Sequence, residues 1–351
     1  SVSLRMSCPC SHLNEYISSF FKMSTFLLLV TRRSLSFASS LLHFTSSLSS
    51  SASPRVRFLI SSNSRDLERS LRLHYPNLLA SHEHESIPDW SDPKDLQEAL
   101  GRCDGAIFAA SGCGDGVINL PSNPSDEWLQ CEQNLATLVS KDHRVVKLSW
   151  TEGFVEERSP SAAGRANFEL EKELKGKFGG GNNGAQNLTI LRAPTGMDAF
   201  LRGRLFDLVC GRTLSMSVKR GRIAFVHPLD VAESLSAVLV KQNDGMNEGL
   251  YSLTGPEALT FEEVAKILSE GIGDKVNYSN FPLWAVQPAR WVRGVPGDAI
   301  EEELGVMRAL EAGAQNGVEI EVMEKLVGHK PRTFREFVAQ NSDAWPRAEP
   351  L

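Results

Sequence analysis

The chain has 351 residues, with 43 acidic side chains against 37 basic ones, a formal net charge of −6 and 41% hydrophobic content. That length carries enough apolar material for one large α/β domain or two smaller ones. A mean hydropathy of −0.20, without an apolar run approaching about 18 residues, argues against a membrane span. Mild net acidity argues against non-specific nucleic-acid binding. The charge is uneven: residues 1–60 hold six basic side chains and one acid, Glu15, so the front is +5 and the rest −11. The six cysteines, Cys8, Cys10, Cys103, Cys113, Cys131 and Cys210, form no C-x-x-C pair and read as reduced thiols. Cys8-Pro9-Cys10 has no partner ligands nearby for a metal.

Residues 1–22 lack apolar periodicity and read as a poorly ordered leader. From Ser24 to Ser53 there are eleven serines, two arginines and no acid, a composition that suits an organellar transit peptide. The same stretch also reads as the opening of a βαβ unit. Thr25-Phe26-Leu27-Leu28-Leu29-Val30-Thr31 has strand length, Phe37, Ala38, Leu41 and Leu42 have helical spacing, and Arg57-Phe58-Leu59-Ile60 is a second strand. Topology favours this second reading, because the first strand of a doubly wound sheet lies mid-sheet and its loss would leave the second without a neighbour.

Further along, a polar helix is predicted around 64–74 and another at 94–100, followed by a buried strand at 104–110. A helix at 128–140, a strand at 145–149, a charged amphipathic helix at 168–175 and a strand at 188–192 come next. Strands alternating with helices at this spacing predict a parallel α/β sheet. Gly112-Cys113-Gly114-Asp115-Gly116 and the Gly/Asn run at 179–184 read as loops, as does His82-Glu83-His84. In the last third, Thr260-Phe261-Glu262-Glu263 and Thr333-Phe334-Arg335-Glu336 are capping boxes opening amphipathic helices, with a long helix at 298–310 between them. The expectation is a Rossmann-like doubly wound parallel sheet over 23–240, with a smaller, mostly helical substrate lobe over 241–351 beside its cleft.

Several segments resemble the NmrA-like, atypical branch of the short-chain dehydrogenases. Asp89-Trp90-Ser91-Asp92 sits where that family has an acid after the third strand. Thr189-Ile190-Leu191-Arg192-Ala193-Pro194 is similar to its T-I-L-R-P strand. Ile223 through Ala232 is similar to its F-V-x-x-x-D-V-A segment, and Tyr251 through Thr260 to Y-x-L-T-G-P-E-x-L-T. The tail from Asn316-Gly317 through Lys330 to Phe337 resembles the festuclavine/agroclavine dehydrogenase subgroup. The resemblance implies a Rossmann fold and an NAD(P) ligand.

The family's G-x-x-G-x-x-G phosphate loop falls on Arg32-Arg33-Ser34-Leu35-Ser36-Phe37-Ala38, which has no glycine to let the backbone approach a pyrophosphate. Thr31, Arg32 and Ser34 stand at that place as charge and hydroxyl donors. After the second strand, Ser61-Ser62-Asn63-Ser64-Arg65 offers serines and an arginine without an acid, which suits a 2′-phosphate and so NADP over NAD; Ser64 also suits a helix N-cap. Asp89 and Trp90 are expected at the adenine, and Ala109, Ala110 and Ser111 along the cofactor. Ser149 is placed like the family's catalytic serine, but the Tyr-x-x-x-Lys register gives Ala163 and Asn167, or Phe168 and Lys172. The reading is an NADPH-dependent reductase of a small iminium, enone or quinone-like substrate without that dyad, or a non-catalytic NAD(P)-sensing or protein-interaction module. No G-x-S-x-G or H-E-x-x-H motif supports hydrolase or metal chemistry. Localisation is expected to be cytoplasmic, or plastid or mitochondrial if the Ser/Arg-rich front is a transit peptide.

Overall fold

A computed structural model of the chain describes residues 25–30, 38–42, 55–61, 72, 84–87, 93–111, 127–179, 187–240 and 249–346. β1 (Thr25–Val30), β2 (Arg55–Ser61) and β3 (His84–Ile87) open the main sheet, and residues 38–42 between β1 and β2 are helical. Then follow α1 (Pro93–Leu100), β4 (Gly105–Phe108), α2 (Glu127–Leu138), β5 (Arg144–Trp150), α3 (Ala162–Phe178) and β6 (Leu188–Ala193). A seventh strand, β8 (Gly249–Ser252), joins by pairing with β6. The order is β3-β2-β1-β4-β5-β6-β8, and every pairing is parallel.

Continuous apolar runs suit inner parallel strands covered on both faces. β1 obeys this: Phe26, Leu27 and Leu28 are buried, with Leu28 in register with Phe58 on one side and Ile107 on the other. The stretch 25–30, ambiguous in sequence between leader and first strand, is an inner strand, third in the order and paired on both sides. The strand order changes direction between β1 and β4, the place where open parallel sheets of this kind take ligands at the carboxyl ends of their strands.

α3 begins six residues earlier than the periodicity predicts. Its first turn contains Gly164, a poor helix former, but a Cβ there would lie 2.3 Å from the Phe154 carbonyl oxygen. Close packing of the helix start, not propensity, selects that residue. His84, read as loop, opens the edge strand β3, where pairing with β2 outweighs a polar sequence.

The rest forms a second layer. It comprises a 3₁₀ turn at Met197–Leu201, α4 (Gly203–Cys210), β7 (Thr213–Met216), α5 (Pro228–Val240), α6 (Phe261–Ile272) and β9 (Asn277–Asn280). α7 (Leu283–Trp291), α8 (Gly297–Glu311), α9 (Ile320–Val327) and α10 (Phe334–Gln340) complete it. β7 and β9 pair as a small parallel sheet. Both capping boxes form: Thr260 Oγ1 accepts from the Glu263 amide (3.2 Å) and Glu263 from the Thr260 amide (2.8 Å), and Thr333 and Glu336 repeat the exchange.

Two cores result. One lies between the main sheet and its helices and includes Val231 and Leu235 of α5 and Met323 and Leu326 of α9. The other is built from Trp150, Phe200, Phe225, Phe261, Phe334 and Trp345, with the rings of Phe200, Phe225 and Phe334 5.1–5.5 Å apart. The cores interleave along the chain: β8 and α9 serve the sheet, while residues 197–225 serve the lobe. Among the described residues no helix is long and apolar enough to cross a membrane.

Candidate functional site

The carboxyl edge of the sheet begins at β4, which runs into Ala109-Ala110-Ser111, all buried. Their backbone is tied from below. Glu132 of α2 accepts from the amides of Ala110 (2.8 Å) and Ser111 (3.4 Å) through Oε1. Its Oε2 receives Lys147 Nζ at 2.7 Å, and Lys147 also donates to Ser111 Oγ at 3.3 Å. Both charges are fully buried. A buried ion pair survives only when its remaining donors and acceptors are satisfied, and here the backbone beside the crevice supplies them.

Sequence reasoning missed this pair. The signal was present: a lysine inside Val145-Val146-Lys147-Leu148 has both neighbours on a strand buried throughout, so its ammonium needs a carboxylate. Glu132 answers it from the inward face of α2, beside Cys131, Leu135 and Ala136.

Ser149 lies two residues after Lys147 and therefore on the same face of β5. It too is buried. Its hydroxyl sits beside the carboxylate of Glu171 on α3 without closing a hydrogen bond. Glu171 is gripped by Arg192 of β6 (Nε 3.2 Å, Nη2 2.8 Å) and by Lys175 (2.9 Å). Burial pushes the Glu171 carboxyl up, but hydrogen bonds from Arg192 and Lys175 outweigh it and hold the group below the usual carboxylate range. On α3, the buried Asn167 donates Nδ2 to the Ala163 carbonyl at 3.0 Å, and Lys172 lies over the Phe168 ring at 6.0 Å.

The lobe is fastened to this edge at several points. Glu302 of α8 caps the start of α3, accepting from the Ala162 amide at 2.5 Å and from the Ser161 hydroxyl. Thr151 donates to the Ala314 carbonyl at 2.9 Å. Gln315 Oε1 accepts from the Thr195 amide (3.1 Å) and hydroxyl (2.8 Å) after β6. The family-like F-V-x-x-x-D-V-A segment resolves into structure of the same kind. Asp230 is buried at the start of α5 and accepts from the Arg332 amide at 2.8 Å and from its guanidinium; Arg332 also reaches Glu233 at 3.0 Å. Burial outweighs Arg332 and pushes the Asp230 carboxyl up. His227 packs edge-on against Phe337, and burial pushes its imidazole pKa down. Asp230, Glu233 and His329 bring three potential ligand atoms within 4.8 Å of one another, and the Arg332 guanidinium binds both carboxylates there.

Of the residues singled out from the sequence, Ala110, Ser111 and Ser149 fall on this edge. Thr31, Arg32, Ser34, Arg65, Asp89 and Trp90 lie outside the described residues.

A parallel sheet in this order, with a helical lobe over its carboxyl edge, defines a Rossmann-like fold. No family model matches the chain. Over 137 residues it is 29% identical to agroclavine dehydrogenase of Claviceps fusiformis, covering 38% of this chain and 45% of that protein. Over 133 residues it is 27% identical to an NAD(P)H azoreductase of Xenophilus azovorans, covering 38% and 46%. The chain spans about half the length of the curated relatives it matches. Among solved structures, Citrobacter triphenylmethane reductase superposes with a TM-score of 0.64 at 18% identity over 92% of this chain and 100% of the other. The Escherichia coli NADPH-dependent quinone oxidoreductase, solved with NADPH, gives 0.61 at 17% identity over 90% and 99%. The sequence relatives are thus clavine dehydrogenases and NAD(P)H oxidoreductases, and the structural relatives share the fold, in keeping with the atypical short-chain dehydrogenase-like family that the motifs resemble.

Proposed function

We propose that this chain is an NADPH-dependent reductase of a small conjugated organic molecule, iminium, enone or quinone-like, working without a Tyr–Lys proton relay. The observation that carries the reading is the coincidence of two independent features: sequence relatives named as a clavine dehydrogenase and an NAD(P)H azoreductase, and a parallel sheet whose β4 end is fixed by Glu132 and Lys147. The described part of that edge fits a nicotinamide dinucleotide. Ala109, Ala110 and Ser111 are small, so they leave room at the crevice, and their backbone is already fixed, so binding costs little further ordering.

A bound nicotinamide supplies a hydride. The chain's part is to position the donor and acceptor. Ala110 and Ser111 would line the cofactor, with Thr31, Arg32 and Ser34 near its pyrophosphate, Asp89 and Trp90 at the adenine, and Arg65 favouring a 2′-phosphate and hence NADP. Ser149, at the place of the family's catalytic serine and buried beside the Glu171–Arg192 pair, is the one residue of that machinery retained here. With Ala163 and Asn167 at the family's Tyr and Lys places, acceptors that take their proton from water, or need none on hydride addition, suit this site better than simple ketones.

The test is deuteride transfer from labelled NADPH to a panel of iminium, enone and quinone acceptors. Acceptor-dependent NADPH oxidation with label in the product is expected. Absence of NADPH binding in calorimetry at millimolar nucleotide sinks the reading. Binding without turnover selects the second one, a nucleotide-sensing module, which the glycine-free stretch at 32–38 favours.

A further inference from the structure

Four residues of α7 and of the turn after it face one way. Val286, Ala289, Arg290 and Arg293 recur at i, i+3, i+4 and i+7 and so share one side. All four line a cavity of about 360 Å³ in the helical lobe. Trp284 and Trp291 lie seven residues apart on α7 and are 81% and 74% exposed. Leu208 and Phe281 add apolar wall to the cavity, and Arg204 and Glu303 add charge.

The charges do not cancel. Glu303 accepts from Arg204 Nη1 at 2.5 Å and from Arg290 through Nε and Nη2, both at 2.9 Å. One carboxylate thus serves two guanidiniums while Arg293 brings a third. Asp207, the other acid on the lining, is exposed, as Arg293 is, so three guanidiniums face two carboxylates and leave one positive charge over. Burial is the main cause that lowers the Arg204 pKa; Glu303 pulls the other way, and repulsion from Arg290 and Arg293 adds to the fall.

We propose that this cavity binds a small organic carboxylate, its anionic group on the Arg290–Arg293 side and its apolar body against Leu208, Phe281 and Val286. Guanidinium presents a planar fork of donors that matches a carboxylate. The volume lies at the lower end of the range for small-molecule sites, roughly 300–1,000 Å³, and suits an acid of one or two rings. Glu303 faces the cavity while its neighbour Glu302 caps α3, so the site sits one residue along α8 from the joint between lobe and sheet. The proposal concerns the lobe alone and is independent of whether a nicotinamide cofactor binds.

The experiment uses the full chain without nucleotide. Naphthoate, neutral naphthamide and cationic naphthylmethylammonium are titrated by calorimetry, with the fluorescence of the exposed tryptophans as a second readout. Naphthoate is expected to bind tightest, roughly tenfold or more over the amide, as loss of a charge-assisted hydrogen bond implies. Arg293→Glu should remove that advantage and leave the amide unaffected. Ala289→Trp should block both ligands by filling the cavity. Residues 289 and 293 are exposed, and unchanged thermal melts confirm that both variants fold. Equal affinity for naphthoate and naphthamide, no binding of either at millimolar concentration, or full naphthoate affinity in Arg293→Glu would each overturn the proposal.

Discussion

The sheet edge and the lobe cavity both set a carboxylate among cations, with opposite results. At the sheet edge, one lysine meets one glutamate in full burial, and the surrounding donors and acceptors are backbone amides and a serine hydroxyl of the same small group. In the lobe, Glu303 is shared between Arg204 and Arg290 with Arg293 left over, around open space. A charge pair closed on itself holds backbone in place. A pair left with a surplus draws in a ligand. Burial alone does not distinguish these roles; the balance of charge and hydrogen bonds does.

The comparison is broken most directly at Lys147. Lys147→Met leaves Glu132 charged and buried, and Glu132→Gln leaves the ammonium without its anion. Each is expected to cost about 3–5 kcal/mol of folding stability, measured by urea denaturation. The double variant should cost less than either single change, because no uncompensated charge remains. A single variant costing under about 1 kcal/mol would mean that the pair is not the closed unit described. By contrast, Arg293→Glu in the lobe should change stability by no more than about 0.5 kcal/mol, as for exposed positions outside such networks.

Between these extremes stands Glu302, which carries no surplus but joins the two regions. Glu302→Ala removes the acceptor for the first amides of α3, and a loss of about 1–2 kcal/mol follows from the missing cap and its favourable charge at the helix start. Ser161, which accepts from the Gly164 amide at 3.1 Å, remains in place and sets the upper limit. An undiminished melting temperature would show that the lobe does not help to fix α3.

How far these features were legible in the sequence follows from their range. The capping boxes at Thr260 and Thr333 were, because both partners sit within one turn. The inner position of 25–30 was, because parallel sheets impose an order that composition does not. The pairing of 213–216 with 277–280 was not, since strands of four residues give too short a pattern and these two find each other only through the fold. The Arg204–Glu303 contact spans 99 residues and the Glu302 cap of α3 spans 140, beyond any local periodicity. Lys147 is the intermediate case: its own position announced a need for a partner, while the identity of that partner required the packing of α2.

A third arrangement gives the smallest effect and sharpens the comparison at its exposed end. His329 directs Nδ1 at the Lys330 carbonyl (2.8 Å) and Nε2 at Glu233 (2.7 Å). An imidazole with an acceptor at each nitrogen needs both protons to donate twice, so the backbone carbonyl and then Glu233 raise its pKa above the usual imidazole value. Because the folded value is raised, the stabilisation is fully present below the ordinary imidazole pKa and is lost as pH rises through the folded one. The group is largely open to solvent, so screening keeps the effect small. Stability followed from pH 5 to 9 should therefore decline slightly more in the native chain than in His329→Gln, with the difference confined to that window and reduced by salt. A difference that grows with pH would reverse the sign and remove His329 from the Glu233–Arg332 network as a charged member.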